Sequence, residues 1–455
     1  MAKARSRFVC QQCGADFSKW TGKCENCGSW NSLLESAPVE AGKSVVARSS
    51  GQKLKTERIA DVKVDTVADR VSTGIDDLDM VLGGGLMPGA VVLVAGQPGI
   101  GKSTLLMQVS AAVADKNEVL YVSGEESASQ VKLRAERLGA KNDEKLDLVS
   151  STNADDVAAT IASGKYKLAI IDSMQTMAMA EIASAPGTVS QITNSANIII
   201  RAAKASNTAV LLVGHVTKEG SIAGPKVLEH MVDVVLQFEG DRYGGFKIVR
   251  AIKNRYGSTS EAAIFDMTEN GLQIVANPSA ALLAERRDED GSVVLATVEG
   301  NRPLLVEIQA LVNPTSFGYP KRTASGYDQN RLTLLIAVLE RRTKLKLSDS
   351  DIYLNVVGGL KINDPAADLA VCMAIASAAA KRKFRAGAVV FGEVGLGGEI
   401  RSANMVDRRI AEAKKLGFKY AIAPKSAARD RFVVPAADLR DALNQHLTKN
   451  TLDAK

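Results

Sequence analysis

A phosphate-binding loop is the most specific chemical feature of this 455-residue sequence. The pattern GxxxxGK[ST] and the threonine after it are complete in Gly96, Gln97, Pro98, Gly99, Ile100, Gly101, Lys102, Ser103 and Thr104. The loop follows an apolar run, Val91–Ala95, and opens a helical stretch, Thr104–Ala114. Its backbone N–H groups can surround phosphates at the positive end of the helix dipole. We therefore expect an ATP site in which Lys102 reaches the β- and γ-phosphates, Ser103 ligates Mg²⁺ and Thr104 lies beside the α-phosphate.

Acidic residues follow two other apolar runs. Leu168–Ile171 is followed by Asp172, the carboxylate expected to hold the water shell of Mg²⁺. Val119–Val122 is followed by Glu125 and Glu126. Because a carboxylate at this place can orient and polarise the attacking water, we favour Glu125 as the catalytic group, with Glu126 second. The alternative is a solvated turn with no catalytic role.

Two Cys-x2-Cys pairs, separated by ten residues, lie near the start of the chain: Cys10, Cys13, Cys24 and Cys27. Such turns place four thiolates in a tetrahedron around Zn²⁺. The alternatives are redox motifs or two disulfides, but redox pairs usually sit at a strand-to-helix junction, which this segment does not resemble. Since cysteine fills all four positions, the zinc is expected to be structural. Nucleic-acid contact and a solvated basic rim are both compatible with Arg5, Arg7, Lys19 and Lys23.

The elements that position these residues lie in an alternation of apolar runs and helical stretches. Continuous runs typical of buried parallel strands are Val91–Ala95, Val119–Val122, Leu168–Ile171 and Ala209–Val213. We therefore expect an α/β ATPase domain over residues 66–275. A zinc module (1–34) and a polar linker (35–65) precede it, and an α+β domain (286–455) follows.

Composition bounds the class of protein. Apolar residues make up 46% and charged residues 24%, as in an ordinary globular protein of two or three domains. The net charge of +6 is a weak signal for a polyanionic partner, and 4% aromatic residues do not indicate a broad base-stacking platform. No apolar run reaches about 18 residues, so we expect no membrane span and a cytoplasmic protein. Cys372, in an Ala-rich stretch, is interpreted as a core residue.

Several further motifs resemble a known family. The run Ser72-Thr73-Gly74-Ile75-Asp76 and the run Leu82-Gly83-Gly84-Gly85-Leu86 before the P-loop are similar to the RecA and KaiC branch of P-loop ATPases. Within that branch, the zinc pairs, Gly124-Glu125-Glu126-Ser127 and Lys253-Asn254-Arg255-Tyr256-Gly257 resemble the RadA family. The final domain resembles that of Lon protease, a ribosomal S5 domain 2-like fold. The resemblance covers essentially the whole chain.

The resemblance implies roles around the nucleotide. Glu125 occupies the place of the catalytic carboxylate of RecA-like proteins, and His215 that of a γ-phosphate sensor. The loop beginning at Thr217–Gly220 compares with the DNA-binding loop of RecA, and Lys218 and Lys226 are candidate phosphate contacts for sequence-independent binding.

Lys253 and Arg255 alternate along an expected strand end, so both can project to one side. In RecA-like rings such residues reach the neighbouring subunit's ATP as an arginine finger in trans. Tyr256 replaces the usual phenylalanine of this family motif and keeps the ring. The alternative is a surface basic cluster.

The Lon-like domain lacks the protease's catalytic pair. Ala366 occupies the place of the nucleophilic serine, and Asp407 that of the lysine base, so we expect no proteolysis. A scaffold with a second DNA-binding surface remains. Its candidate phosphate contacts are Lys321, Arg322, Arg331, Lys344, Lys346, Arg382, Lys383 and Arg385.

The function implied by the resemblance is a DNA-dependent ATPase and helicase of recombination and repair. Subunits would form a hexameric ring around DNA, and ATP hydrolysis would drive branch migration and D-loop extension. The expected partners are single-stranded DNA, branched recombination intermediates, the RecA recombinase and further copies of the chain. The alternatives are a KaiC-like signalling ATPase uncoupled from DNA and an ATP-dependent protease.

Overall fold

The computed structural model describes most of the chain, as two compact units. The described residues are 7–10, 16–26, 28, 30, 32–36, 58, 70–140, 144–216, 222–223, 227–240, 245–315 and 318–447. The first unit comprises Met1–Gln237 and Ala251–Gly257, and the second Phe238–Arg250 and Ser258–Lys455. Within the described ranges, no helix has the length and apolar character needed to cross a membrane.

A small antiparallel sheet forms the amino-terminal module of the first unit. Its strands are β1 (Arg7–Cys10), β2 (Asp16–Phe17) and β3 (Leu33–Ser36), in the order β2-β1-β3. The buried core consists of Cys10, Cys24 and Leu33, against which Phe8 and Phe17 pack. So few apolar side chains do not stabilise a fold of this size alone, and such modules usually need a metal or disulfides.

The ATPase core is a parallel sheet with interleaved helices. Its elements are α1 (Asp76–Leu82), β4 (Val91–Gly96), α2 (Lys102–Ala114), β5 (Val119–Ser123), α3 (Ala128–Arg137), β6 (Leu146–Ser150), α4 (Ala154–Ala162), β7 (Leu168–Asp172), α5 (Val189–Ser206), β8 (Ala209–Val216), β9 (Ile222–Ala223) and α6 (Val227–Met231). The order β4-β8-β7-β5-β6 is parallel throughout, and β9 pairs antiparallel with β8. Since parallel strands point the same way, the carboxyl ends of β4, β5, β7 and β8 share one edge, where α/β sheets bind ligands.

The division between the two units falls within the strands that follow the ATPase core. Four strands follow the core: β10 (Val234–Gly240), β11 (Lys247–Asn254), β12 (Ala262–Thr268) and β13 (Gly271–Ile274). The division cuts β10 after Gln237 and β11 after Arg250, and it assigns the β12–β13 hairpin to the second unit. The physical reason is packing, because Ile248, Ala262 and Ile264 belong to the apolar core of that second unit.

The second unit is an α+β domain built on a mixed sheet. Its further elements are α7 (Pro278–Leu283), β14 (Ser292–Glu299), β15 (Arg302–Pro314), β16 (Arg322–Ser325), α8 (Gln329–Thr343), β17 (Ser350–Val356), α9 (Asp368–Ala380), β18 (Ala388–Val390), β19 (Glu393–Val394), β20 (Ile400–Arg401), α10 (Val406–Lys415), β21 (Tyr420–Pro424), β22 (Val433–Ala436) and α11 (Leu439–His446). The main sheet runs β16-β17-β15-β14-β18-β21-β22, and β19 and β20 form a separate ribbon. Helix α9 is buried along most of its length, and Cys372 is fully buried within it, which confirms its interpretation as a core residue.

Helix α11 contains a buried histidine that predicts acid sensitivity. His446 is 3% exposed and stacks on Tyr420, and neither ring nitrogen has a hydrogen-bond partner among the described residues. Burial, and then the nearby Arg385, lower the pKa of His446, while Asp441 acts in the opposite direction. The folded state therefore favours the neutral ring, and the unfolded chain takes up a proton first as the pH falls through about 6.5.

Below pH 6.5, we expect the free energy of unfolding to decrease by up to about 1.4 kcal/mol per pH unit. This decrease should stop once the pH is below the pKa of His446 in the folded state. In His446→Leu this component should be absent. Denaturant unfolding of the second unit at several pH values measures it, with exposed His230→Gln as the matched control. An unchanged pH dependence in His446→Leu would contradict the prediction.

Candidate active site

The P-loop lies between β4 and α2, as the sequence predicts. Gly99 and Gly101 adopt positive φ angles of 78° and 118°, which glycine accommodates without strain. Lys102, only 4% exposed, donates from Nζ to the carbonyl oxygens of Gly96 at 2.8 Å and Gln97 at 3.0 Å. The ammonium group is thereby held at the loop, next to the N–H groups of the first turn of α2. This arrangement suits the triphosphate of a nucleotide.

Asp172 lies at the same edge, at the end of β7. Tyr121, on neighbouring β5, donates from its hydroxyl to Oδ2 of Asp172 at 2.8 Å, and the Gly124 N–H donates to the Asp172 carbonyl oxygen at 2.8 Å. Burial, and then the adjacent carboxylate, raise the pKa of Tyr121 well above its ordinary value. The phenol therefore stays protonated and fixes one carboxylate oxygen of Asp172. Sequence reasoning did not find this contact, because the two residues are 51 positions apart.

The two candidate glutamates have different partners. Glu125 accepts a 2.5 Å hydrogen bond from the hydroxyl of Ser173, the residue that follows Asp172. Glu126 forms an ion pair with Arg134 of α3 and has its backbone fixed by Ser123. Glu125 is thus directed to the end of β7, whereas the Glu126 carboxylate is engaged by a cation on α3. The role of Glu125 as the catalytic group, with Glu126 second, stays a prediction.

Gly124 makes the turn between these groups possible. A Cβ at this position would lie 2.1 Å from Oγ1 of Thr176, a distance that no side chain tolerates. The turn from β5 therefore packs directly on the segment after β7. This close packing brings Glu125 to Ser173.

His215 lies next to the P-loop at the level of the backbone, since it is paired with Gly96 in the register of β4 and β8. Its predicted role as a γ-phosphate sensor stays a prediction. The loop Thr217–Gly220, with Lys218, and Lys226 lie outside the described residues.

The Lys253–Gly257 motif lies near the amino-terminal end of β4, and the P-loop follows the carboxyl end of the same strand. The Arg255 N–H donates to the carbonyl oxygen of Asp233, whose own N–H donates to Val91, the first residue of β4. The P-loop begins at the other end of this six-residue strand, about 16 Å away. Arg255 therefore lies at the end of the sheet opposite its own chain's P-loop.

The two cations of the motif are used differently. Lys253 donates to the carbonyl oxygens of Glu229 at 2.7 Å and Val232 at 2.8 Å, at the end of α6. Burial, and then the neighbouring Arg255, lower the pKa of Lys253. The Arg255 side chain is 57% exposed and has a 3.4 Å contact with Asp233. Of the two, Arg255 is the one available to reach another molecule.

The zinc module places its described thiols appropriately for a metal. Cys10 and Cys24 are 1% and 0% exposed and share one small core. The Gly28 N–H donates to the Cys24 carbonyl oxygen at 2.8 Å, which closes the second turn. Cys13 and Cys27, the other predicted ligands, lie outside the described residues. Thiolates buried in so small a core fit a structural zinc ion.

A buried ion pair joins two residues that each lie two positions from those compared with the Lon catalytic pair. Ala366 is 3% exposed and presents a methyl group, and Asp407 is exposed on the first turn of α10. Arg409, fully buried, donates from Nη1 to Asp364 at 2.7 Å and to the Ala296 carbonyl oxygen at 2.6 Å. The absence of a hydroxyl at 366 and of an amine at 407 leaves this place without the nucleophile and base of that protease.

The basic residues proposed for DNA contact in this unit differ in availability. Arg331 forms an ion pair with fully buried Asp368, to which it also donates from Nε at 3.0 Å. Lys383 pairs with Glu289 at 2.8 Å. The exposed residues among the candidates are Lys321, Lys344, Lys346, Lys383 and Arg385.

Comparisons with known proteins agree with this architecture. A family described as AAA domain matches residues 55–221, one described as Rubredoxin metal binding domain matches 8–35, and one described as Subunit ChlI of Mg-chelatase matches 329–427. Together with the sheets above, these matches confirm the expected fold class: a zinc ribbon, a RecA-like P-loop ATPase core and a Lon-like α+β domain. A solved structure of the RadB recombinase is 23% identical with a TM-score of 0.37, over 45% of this chain and 99% of its own.

Full-length relatives are considerably more similar. The protein of Halalkalibacterium halodurans is 48% identical over 93% of both chains, and that of Listeria monocytogenes is 48% identical over 94% of both. The protein of Pseudomonas aeruginosa is 46% identical over 98% of this chain and 99% of its own. All three are named DNA repair protein RadA. With its zinc ribbon, ATPase core and Lon-like domain in the order described above, the chain belongs to the RadA family of ATPases.

Proposed function

We propose that this protein is a DNA-dependent ATPase of recombination and repair that assembles into a hexameric ring and moves on single-stranded and branched DNA. The observation that carries the proposal is the position of Arg255, at the amino-terminal end of the parallel strands, opposite its own P-loop. An exposed guanidinium there can serve an ATP site only in a neighbouring copy. A head-to-tail contact of this kind forms a ring when its repeated rotation closes, and we propose that it does so here.

At each interface, different residues of the chain bind the phosphates, accept the proton and stabilise charge during ATP hydrolysis. Lys102 and the N–H groups at the start of α2 bind the phosphates, and Glu125 accepts a proton from the attacking water. Ser103 and Asp172, the latter oriented by Tyr121, are the residues that would hold Mg²⁺, which neutralises charge on the phosphate oxygens when bound. Arg255 of the adjacent subunit stabilises the charge that develops during phosphoryl transfer.

The coupling to DNA rests on the family and on charge. Relatives of this family are named for DNA repair, and the candidate loop after β8 contains Lys218 and Lys226. Contacts of lysine with phosphates give affinity without reading bases. Branch migration and D-loop extension, alongside the RecA recombinase in the cytoplasm, are the activities we propose for the ring. The Lon-like domain acts as scaffold and DNA surface, not as a protease, since Ala366 and Asp407 replace the catalytic pair.

The test compares ATP hydrolysis with and without single-stranded DNA, at low and high salt, for the wild type and Lys102→Ala. We expect DNA to stimulate the wild type, salt to weaken the stimulation, and Lys102→Ala to lose hydrolysis under all conditions. Unwinding of branched substrates would then be measured. Hydrolysis that ignores DNA would overturn the motor and favour a KaiC-like signalling ATPase.

A further inference from the structure

Both tryptophans of the chain lie on the surface of the zinc module rather than in its core. Trp20 is 55% exposed and Trp30 is 73% exposed, and the chain has no other tryptophan. The core of the module is made without them, from Cys10, Cys24 and Leu33. An indole contributes to folding by leaving water, so two indoles left largely in water point to a surface that a partner covers.

The two indoles border one shared surface at Gly22. A Cβ at Gly22 would lie 3.8 Å from Cζ3 of Trp30 and 3.9 Å from Cη2 of Trp20, so the six-membered rings flank the same point. Since glycine has no side chain, nothing of residue 22 stands between or above the rings. The surface therefore presents two aromatic groups that approach the same point.

A cation is built into the same surface. Lys23 is paired with Trp30 through an antiparallel bridge, and its Nζ lies 5.7 Å from the centroid of the Trp30 ring. Lys19, next to Trp20 in the sequence, is also exposed. Aromatic rings with interleaved lysines complement a ligand that combines flat bases with phosphate charge.

We propose that Trp20, Trp30 and Lys23 form a base-stacking platform for single-stranded DNA. One or two unpaired bases stack on the indoles, and Lys23 and Lys19 contact the adjoining phosphates. Stacking is tolerant of sequence because every base has a π face, and it requires bases that are not already stacked in a duplex. The platform is small, which agrees with the low aromatic content of the chain. The inference rests on the proposed DNA function and assigns the zinc module a part in it.

The experiment uses the intrinsic fluorescence of the full-length protein without nucleotide, because all tryptophan emission comes from these two residues. A short oligodeoxythymidylate should quench the emission, and the matching duplex should quench it far less. Trp20→Ala and Trp30→Ala should each weaken binding of the oligonucleotide roughly tenfold, and the phenylalanine variants less. Lys23→Gln should reduce the salt dependence of binding. Zinc content at the wild-type level shows that each variant is folded.

Leu396→Ala is the control for removal of an exposed apolar side chain, since this leucine is 66% exposed in the second unit, and it should leave binding unchanged. Suppose that single-stranded DNA stimulates hydrolysis but does not quench the emission, and that the alanine variants bind the oligonucleotide as tightly as the wild type. The platform is then refuted and the proposed function stands. Emission that depends on protein concentration and not on DNA would instead assign the surface to a second copy. If DNA neither stimulates hydrolysis nor quenches emission, both proposals fail.

Discussion

Replacing Arg255 with alanine is expected to reduce ATP hydrolysis by roughly 10³-fold or more, the contribution typical of an arginine finger. The fold should tolerate the change, because the side chain is more than half exposed and its one described ion-pair partner, Asp233, keeps other partners. Asp233 also contacts Lys204 at 2.5 Å and accepts from the Val91 N–H at 3.0 Å. ATP binding should remain, since the P-loop of the same chain is at the opposite edge of the sheet.

Mixing two inactive proteins distinguishes action in trans from action in cis. Lys102→Ala lacks a working P-loop but supplies Arg255, and Arg255→Ala supplies the P-loop. In randomly mixed rings, about a quarter of the interfaces would combine both intact groups, so hydrolysis should reappear. Lys204→Ala is the matched control, because it removes a partner of the same Asp233 carboxylate and should retain most of the activity. Failure of the mixture to regain hydrolysis, or an active Arg255→Ala, would contradict the trans role.

The parts predicted well from the sequence are those fixed by local pattern. The loop from Gly96 to Thr104 lies between a buried strand and a helix, as its motif requires. Continuous apolar runs identified β4, β5, β7 and β8, although each strand extends one to three residues further than its apolar run. These extensions matter, because Ser123 and Asp172 are polar strand ends that line the site. Strand pairing, rather than hydrophobicity, determines where the strands stop.

The parts that the sequence could not predict depend on contacts between distant segments. The partners of Glu125 and Glu126 are Ser173 and Arg134, and no periodicity relates either partner to its glutamate. The place of Arg255 depends on the direction of β11, which no local signal gives. Arg409 is a further case, because a fully buried arginine is rare and is tolerated here through Asp364, the Asn404 side chain and backbone carbonyls.

The segment from 258 to 275 illustrates the same limit for domain boundaries. Apolar runs alternate with helical stretches up to about residue 275, and this pattern predicts that its strands belong to the ATPase domain. The hairpin belongs to the second unit because side chains of both β11 and β12 enter its core. An apolar run indicates that a strand is buried but not which core buries it.

Glu125 and Glu126 offer a discriminating pair of variants within one turn. Glu125→Gln preserves the shape of the side chain and can still accept a hydrogen bond from Ser173, but it cannot take a proton from the attacking water. We expect it to lower the rate of ATP hydrolysis by roughly 10²- to 10⁴-fold while ATP binding persists. Glu126→Gln loses the charge paired with Arg134 and should keep most of the activity.

The measurement is the hydrolysis rate with saturating single-stranded DNA, together with nucleotide affinity, for both variants and the wild type. Retained affinity with lost turnover in Glu125→Gln separates a catalytic carboxylate from one that only stabilises the turn, since a collapsed turn would impair binding as well. The reverse result, in which Glu126→Gln is the inactive protein, would transfer the catalytic role to Glu126. The ion pair with Arg134 would then have to open before each turnover, which would couple α3 to hydrolysis.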